Sequence, residues 1–196
     1  MSDKTKSSSG KKIALNSPVI IGFTAICLVA LLLSMITGGN SNKLLFSVYR
    51  SSLVNPFTYV RFFGHVFGHA SWSHFIGNIM YILLLGPLLE EKYGKADMIF
   101  IIAVTALVTG LINFIFFPHV MLLGASGVVF AFILLSSFTG FQDGKIPVTF
   151  ILVALLYIGQ QVYDGIVLHN NVSELTHIIG GIVGSVFGFA ENKIKR

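Results

Sequence analysis

Long apolar runs separated by short polar or glycine-containing breaks dominate the chain. The first run is Pro18–Ile36, closed by Thr37-Gly38-Gly39-Asn40. A second extends from about His74 to Leu89 and stops at Glu90-Glu91-Lys92-Tyr93-Gly94. A third covers Met98–Phe117 and meets Pro118, which cannot continue a helix. The fourth is Ser126–Phe138, ended by Thr139-Gly140. The fifth begins near Pro147 and reaches Gly159 or Tyr163, and the sixth covers about Glu174–Ala190. Runs this long and this poor in charge predict membrane-crossing helices, because about 20 apolar residues span ~30 Å of hydrocarbon. The predicted fold class is therefore an all-α membrane protein, a bundle of six transmembrane helices. Runs four and six are short and polar-tipped, which suits central helices sheltered by protein beneath a water-filled cavity.

Residues 37–73 break this rhythm. They mix Leu44, Leu45, Phe46, Leu53, Phe57, Phe62, Phe63, Phe67 and Trp72 with Arg50, Arg61 and several histidines. So long and aromatic a connection is expected to be structured and partly embedded at the membrane interface.

Composition agrees. Of 196 residues, 54% are hydrophobic and 11% charged, whereas a water-soluble domain carries about 25% charged residues. The size fits one membrane domain, residues 17–191, between a Ser/Lys-rich disordered N-terminus (1–16) and a basic tail (192–196). The run Pro18–Ile36 is too long for the apolar core of a signal peptide, and no A-x-A-like site follows it. A formal charge of +5 does not point to nucleic acid, because the cations are split between termini and short loops. Six spans with a cytoplasmic N-terminus place ten of the 13 Lys and Arg residues inside and leave Lys43, Arg50 and Arg61 outside. That asymmetry follows the positive-inside rule and puts both termini in the cytoplasm. One cysteine, Cys27, allows no intramolecular disulfide.

The chemistry concentrates in three blocks. Gly124-Ala125-Ser126-Gly127 opens the fourth run. Its glycines permit a tight turn, and a helix start leaves N–H groups free to stabilise an oxyanion. Ser126 is thus a candidate nucleophile, the alternative being a helix N-cap. His177 sits at the start of the sixth run, where an ionisable side chain within a membrane is costly. A neutral imidazole there suits a general base, against the alternative of a core histidine bonded to a carbonyl. Gly180, Gly184 and Gly188 form a ridge one turn further on, allowing close helix packing with or without chemistry. In the third block, His65-x3-His69-x4-His74-x3-Asn78, His74 and Asn78 lie one turn apart and can offer donors to one cavity. Three histidines also raise a metal site, but there is no H-E-x-x-H and no nearby carboxylate pair. Phe130, one turn after Ser126, can stack on His177 or simply fill the core. Asp164 and Glu174 flank the last outer loop and could orient His177. His119 and His169 are expected in solvated loops, and Glu90-Glu91-Lys92 reads as a solvated helix end.

Arg61-x3-His65-x3-His69-x4-His74-x3-Asn78, Gly124-Ala125-Ser126-Gly127 and His177-x2-Gly180-Gly181-x2-Gly184 occur in this order. Together with Gly86…Glu90…Gly94, they resemble the rhomboid family of intramembrane serine proteases, over about residues 18–190 and in its minimal six-span form. The resemblance implies a rhomboid-like bundle with Ser126 as nucleophile and His177 as general base, without a third acidic member. It implies an oxyanion hole of His74, Asn78 and the Ser126 N–H. Arg61 would belong to the structured first outer loop, and His65 and His69 would be structural. Gly124, Gly127 and Phe130 would support the site, Phe130 standing where the family often has Tyr. No metal or other cofactor is implied. The expected partners are transmembrane protein substrates and the lipid bilayer, in a prokaryotic inner membrane. The alternative is an inactive rhomboid-like protein that binds or chaperones client helices.

Overall fold

The computed structural model describes residues 16–138, 146, 148–156, 159 and 171–194. Its elements, in chain order, are α1 (Pro18–Ile36), α2 (Asn40–Leu44), α3 (Pro56–Gly64), a 3-10 turn (His65–Phe67), α4 (Trp72–Tyr93), α5 (Lys95–Phe116), α6 (Ser126–Ser136), α7 (residues 148–156) and α8 (Asn171–Ile194). Each predicted span coincides with a helix among the described residues. Three of them, α1, α4 and α5, are long and apolar enough to cross a membrane; α6 and the apolar part of α8, Leu175–Glu191, are shorter.

The starts and stops follow local chemistry. Pro18 opens α1, where its missing N–H costs nothing. Asn55 and Ser71 cap α3 and α4 by accepting the N–H of Phe57 and His74 at 3.0 and 3.2 Å. Gly94, at φ +89°, turns the chain from α4 into α5. Along α4, Phe75, Asn78, Ile79, Ile82 and Gly86 are buried, while Ile76, Met80, Leu84 and Leu88 are each more than half exposed. Exposed apolar residues every fourth position form a stripe that suits lipid rather than water.

Helix α6 sits in the middle, packed against α4, α5 and α8. It is apolar nearly all round, as a buried helix should be. Its contact with α8 is backbone to backbone. A Cβ on Gly180 would collide with the Gly127 carbonyl, and one on Gly184 with the Ala131 carbonyl. Gly188 faces the Phe138 ring, 2.6 Å from where its Cβ would stand. The predicted glycine ridge is thus the seam that lets α8 lie against α6.

At one end of the bundle, α4 ties its neighbours together. The Glu90 carboxylate accepts the N–H groups of Val19 and Ile20 at 3.2 and 3.1 Å. Lys92 Nζ donates to the Phe138 carbonyl, just past the end of α6, at 3.3 Å. This corrects the reading of Glu90 as a solvated residue: it is buried. An anion is worth most beside a helix N-terminus, and α1 presents its own there. The far end, where α6 begins, is covered by the segment between α1 and α4.

That segment is ordered, as its aromatic content suggested. Val48 and Leu122 exchange both backbone hydrogen bonds, at 2.8 and 2.9 Å. Arg61 is buried, donates to Ser51, Thr58 and the Leu44 carbonyl, and stacks on the Tyr49 ring at 4.5 Å. Two other boundaries move. Helix α8 is 24 residues long, but its apolar part, Leu175–Glu191, is short as expected, and α6 ends at Ser136, two residues before the expected stop. Of the predicted disordered N-terminus, residues 1–15 lie outside the described residues. The predicted basic tail is helical through Ile194, and its last two residues also lie outside them.

Candidate functional site

The site is built around Gly124. Its φ of +132° is open only to glycine, and a Cβ there would stand 2.8 Å from His74 ring atoms and 3.8 Å from Asn78 Nδ2. The residue type therefore lets the loop backbone lie directly against the two polar residues of α4. The loop is held there from behind. Gly124 N–H donates to the His65 carbonyl at 2.9 Å. Asn113 Nδ2 of α5 donates to both Val48 and Val120 carbonyls, at 3.0 and 3.1 Å.

The chain then enters α6. Ala125, not Ser126, is the N-cap, and it makes no side-chain cap bond. Ser126 is the first helical residue and is partly exposed. A helix start of this kind has first-turn N–H groups with no intrahelical acceptor. Asn78 is 7% exposed, and its Nδ2 has no hydrogen-bond partner among the described residues. Such a buried donor is costly unless something arrives to accept from it.

On the next turn, the Phe130 ring lies against the His177 ring with centroids 4.3 Å apart and planes at 44°. Residues 126 and 130 share a helix face, so His177 stands beside the α6 face that begins with Ser126. Thr176, the residue before it, borders Gly127 together with Thr105 and Thr109 of α5. Threonine methyl groups of α5 and α8 thus pack around Gly127 in the first turn of α6, while His74 and Asn78 of α4 border Gly124 just before it.

The neighbouring histidines hold the frame. His65 Nε2 donates to the Ala106 carbonyl at 3.0 Å, and His69 Nδ1 to the Phe67 carbonyl at 3.1 Å. A carbonyl can only accept, which fixes both tautomers. Burial pushes both rings down to about 4, so they are neutral at pH 7. The edge of His69 meets His74 with centroids 5.1 Å apart. With two of the three ring systems committed to carbonyls, the cluster reads as scaffold. No group of three metal-binding side chains occurs among the described residues.

Four residues near the site escaped the sequence reading: Asn113, Thr105, Thr109 and Thr176. Thr109 Oγ1 donates within α5 to the Thr105 carbonyl at 2.7 Å and lies 3.5 Å from His65 Nε2. The only signal of Thr105, Thr109 and Asn113 was a polar residue roughly every turn along an otherwise apolar α5, and Thr176 on α8 gave none beyond standing next to His177. His119 is exposed. Asp164, His169 and the Glu174 side chain lie outside the described residues.

The Rhomboid domain family model matches residues 56–193. Among curated proteins, the chain is 30% identical over 140 residues to Rhomboid-related protein 1 of Caenorhabditis elegans, covering 66% of this chain and 39% of that one. It is 29% identical over 173 residues to Rhomboid protease GlpG of Salmonella choleraesuis (strain SC-B67), covering 85% of this chain and 60% of that protein. The match therefore spans less than two thirds of these relatives' own lengths. With its lipid-facing stripes and apolar helices, this chain is an integral membrane protein and a member of the rhomboid family.

Proposed function

We propose that the protein is an intramembrane serine endopeptidase that cuts transmembrane segments of other membrane proteins. One observation carries the reading: Gly124, two residues before Ser126, lies against His74 and Asn78, and Phe130, one turn after Ser126 on the same helix, lies against His177. Ser126 is the nucleophile and His177 the general base. Ser126 Oγ attacks the scissile carbonyl carbon while His177 takes the hydroxyl proton. The negative charge developing on the carbonyl oxygen is met by the Ser126 N–H, His74 and Asn78. His177 then returns the proton to the departing amine, leaving an acyl-enzyme. Water attacks this ester, again with His177 as base, and releases the second product. Phe130 holds the imidazole by ring contact alone, having no hydroxyl to offer. Substrate helices must unwind locally, because a helical peptide bond is shielded within its own ladder. The protein works in a prokaryotic cell membrane with both termini in the cytoplasm; the distribution of Lys and Arg supports the placement of the termini.

A fluorophosphonate probe on the purified protein tests this. Wild type is expected to label, while Ser126→Ala and His177→Ala lose both labelling and cleavage at unchanged thermal stability. A well-folded wild type that never labels, in detergent or lipid, would leave the binding or chaperoning of client helices as the better reading. Asn78→Ala should keep residual activity, losing about 10²- to 10³-fold, the usual cost of one oxyanion donor. Complete loss at matched folding would count against that role.

A further inference from the structure

Between α1 and α5 lies a groove of about 380 Å³ whose lining is entirely apolar. Gly22 of α1 and Ala103 and Ala106 of α5 make the hollow. Ile26 and Ile99 stand exposed at its edges, so it opens sideways onto the lipid-facing surface. Phe63 and Phe67, from α3 and the 3-10 turn, close it at one end. That end has a definable depth. His65, in the same turn, is bonded to the Ala106 carbonyl, and Ala106 lies eleven residues into α5. At 1.5 Å per residue this is about 16 Å from the Glu90 end of the bundle, roughly half of a ~30 Å hydrocarbon core. The groove is therefore one leaflet deep.

Size and depth select the occupant. The hollow is shallow and ends one leaflet deep, so it can seat only a small part of a helix about 10–12 Å across. A crossing helix, whether from a substrate or a second copy, would also have to continue through the space that α3 occupies. A flexible hydrocarbon chain has neither problem. An empty hollow in a bilayer forfeits dispersion contacts along its walls, and a chain that follows the groove restores them. We propose that this groove is a binding site for one acyl chain of a phospholipid from the leaflet at the Glu90 end, with the chain's methyl terminus against Phe63 and Phe67.

The test uses the full chain in liposomes of phosphatidylcholine carrying a diazirine near the end of one acyl chain. After irradiation, adducts are mapped by mass spectrometry. Labelling of peptides bearing Ile26, Phe63 and Ala103 is expected to exceed that of the Ile76–Leu84 stripe on α4 several-fold. Gly22→Leu should remove that excess and leave the stripe unchanged. The Gly22 Cβ position has no neighbour within 4 Å, so the larger side chain enters the groove without meeting backbone. Ala103→Leu, from the opposite wall, gives the same readout should Gly22→Leu fail to fold. Equal labelling of groove and stripe in wild type would overturn the site in favour of ordinary surrounding lipid. Groove labelling below that of the stripe would overturn it in favour of a protein partner. An excess that survives a folded variant would place the chain elsewhere and overturn it too.

Discussion

At the scale of single residues, Gly124 is the position with the least freedom. Its φ of +132° and the His74 ring 2.8 Å from any Cβ rule out a side chain on two separate grounds. Gly124→Ala is expected to lower cleavage by at least 10²-fold while the bundle still folds, because the displaced group is the proposed oxyanion donor His74. Activity measured beside a thermal melt separates the two effects. The buried histidines give a pH signature. His65 and His69 stay neutral down to about 4 when folded, against an ordinary 6.5. Unfolded rings take up protons near 6.5, so these residues' contribution to stability is complete above that pH and is lost as pH falls toward 4. The melting temperature in detergent should fall over that window. His65→Gln, which keeps a donor for the Ala106 carbonyl but cannot ionise, should flatten the fall. The motif residues were legible because their types are rare in a membrane helix. Asn113 and Thr105 were not, because one amide or hydroxyl in an apolar run does not reveal which distant loop it will hold.

At the scale of elements, apolar run length placed α1 to the residue and found α4, α5, α6 and α8 to within four residues, while the expected end of the fifth run falls outside the described residues. What it missed was how helix ends meet. Glu90 sits in a charged cluster, Glu90-Glu91-Lys92, that looks like any solvated terminus. Only the packing of α1 shows that its N-terminus arrives at that carboxylate. Glu90→Gln is therefore expected to cost about 1–2 kcal/mol, the range for an anion at a partly buried helix start, read as a lower melting temperature with wild-type substrate preference. The glycine seam offers a sharper contrast. Gly184→Leu should prevent α8 from seating on Ala131 and so abolish both stability and activity. Gly77→Ala, at a position with nothing within 4 Å, should change neither.

At the scale of the whole molecule, the ties at opposite ends fix how the helices alternate. The start of α1, the end of α4 and the end of α6 share one end through Glu90 and Lys92. The Val48–Leu122 pairing lies at the other, joining the long first loop to the loop before Ser126. The topology proposed from charge counting puts the Glu90 end in the cytoplasm. Fusions at either terminus should then report the cytoplasmic side, green fluorescent protein fluorescing and alkaline phosphatase remaining inactive. The opposite result would invert the assignment.

Under the proposed protease reading, the shortness of α6 carries a consequence for what is cut. Helix α6 rises about 15 Å from Ser126 to Ser136, and the turn on to the Phe138 carbonyl, level with Lys92, brings the distance to roughly 18 Å. Of a ~30 Å hydrocarbon layer, roughly 12 Å then lies between Ser126 and the opposite face. A peptide bond reaching Ser126 must enter by that distance, which is about eight residues of helix or four of extended chain. The protein would thus act as a ruler measured from the membrane surface. A substrate given four extra apolar residues between that surface and its usual cut should be severed four residues nearer the surface, unless a local sequence signal outweighs the ruler.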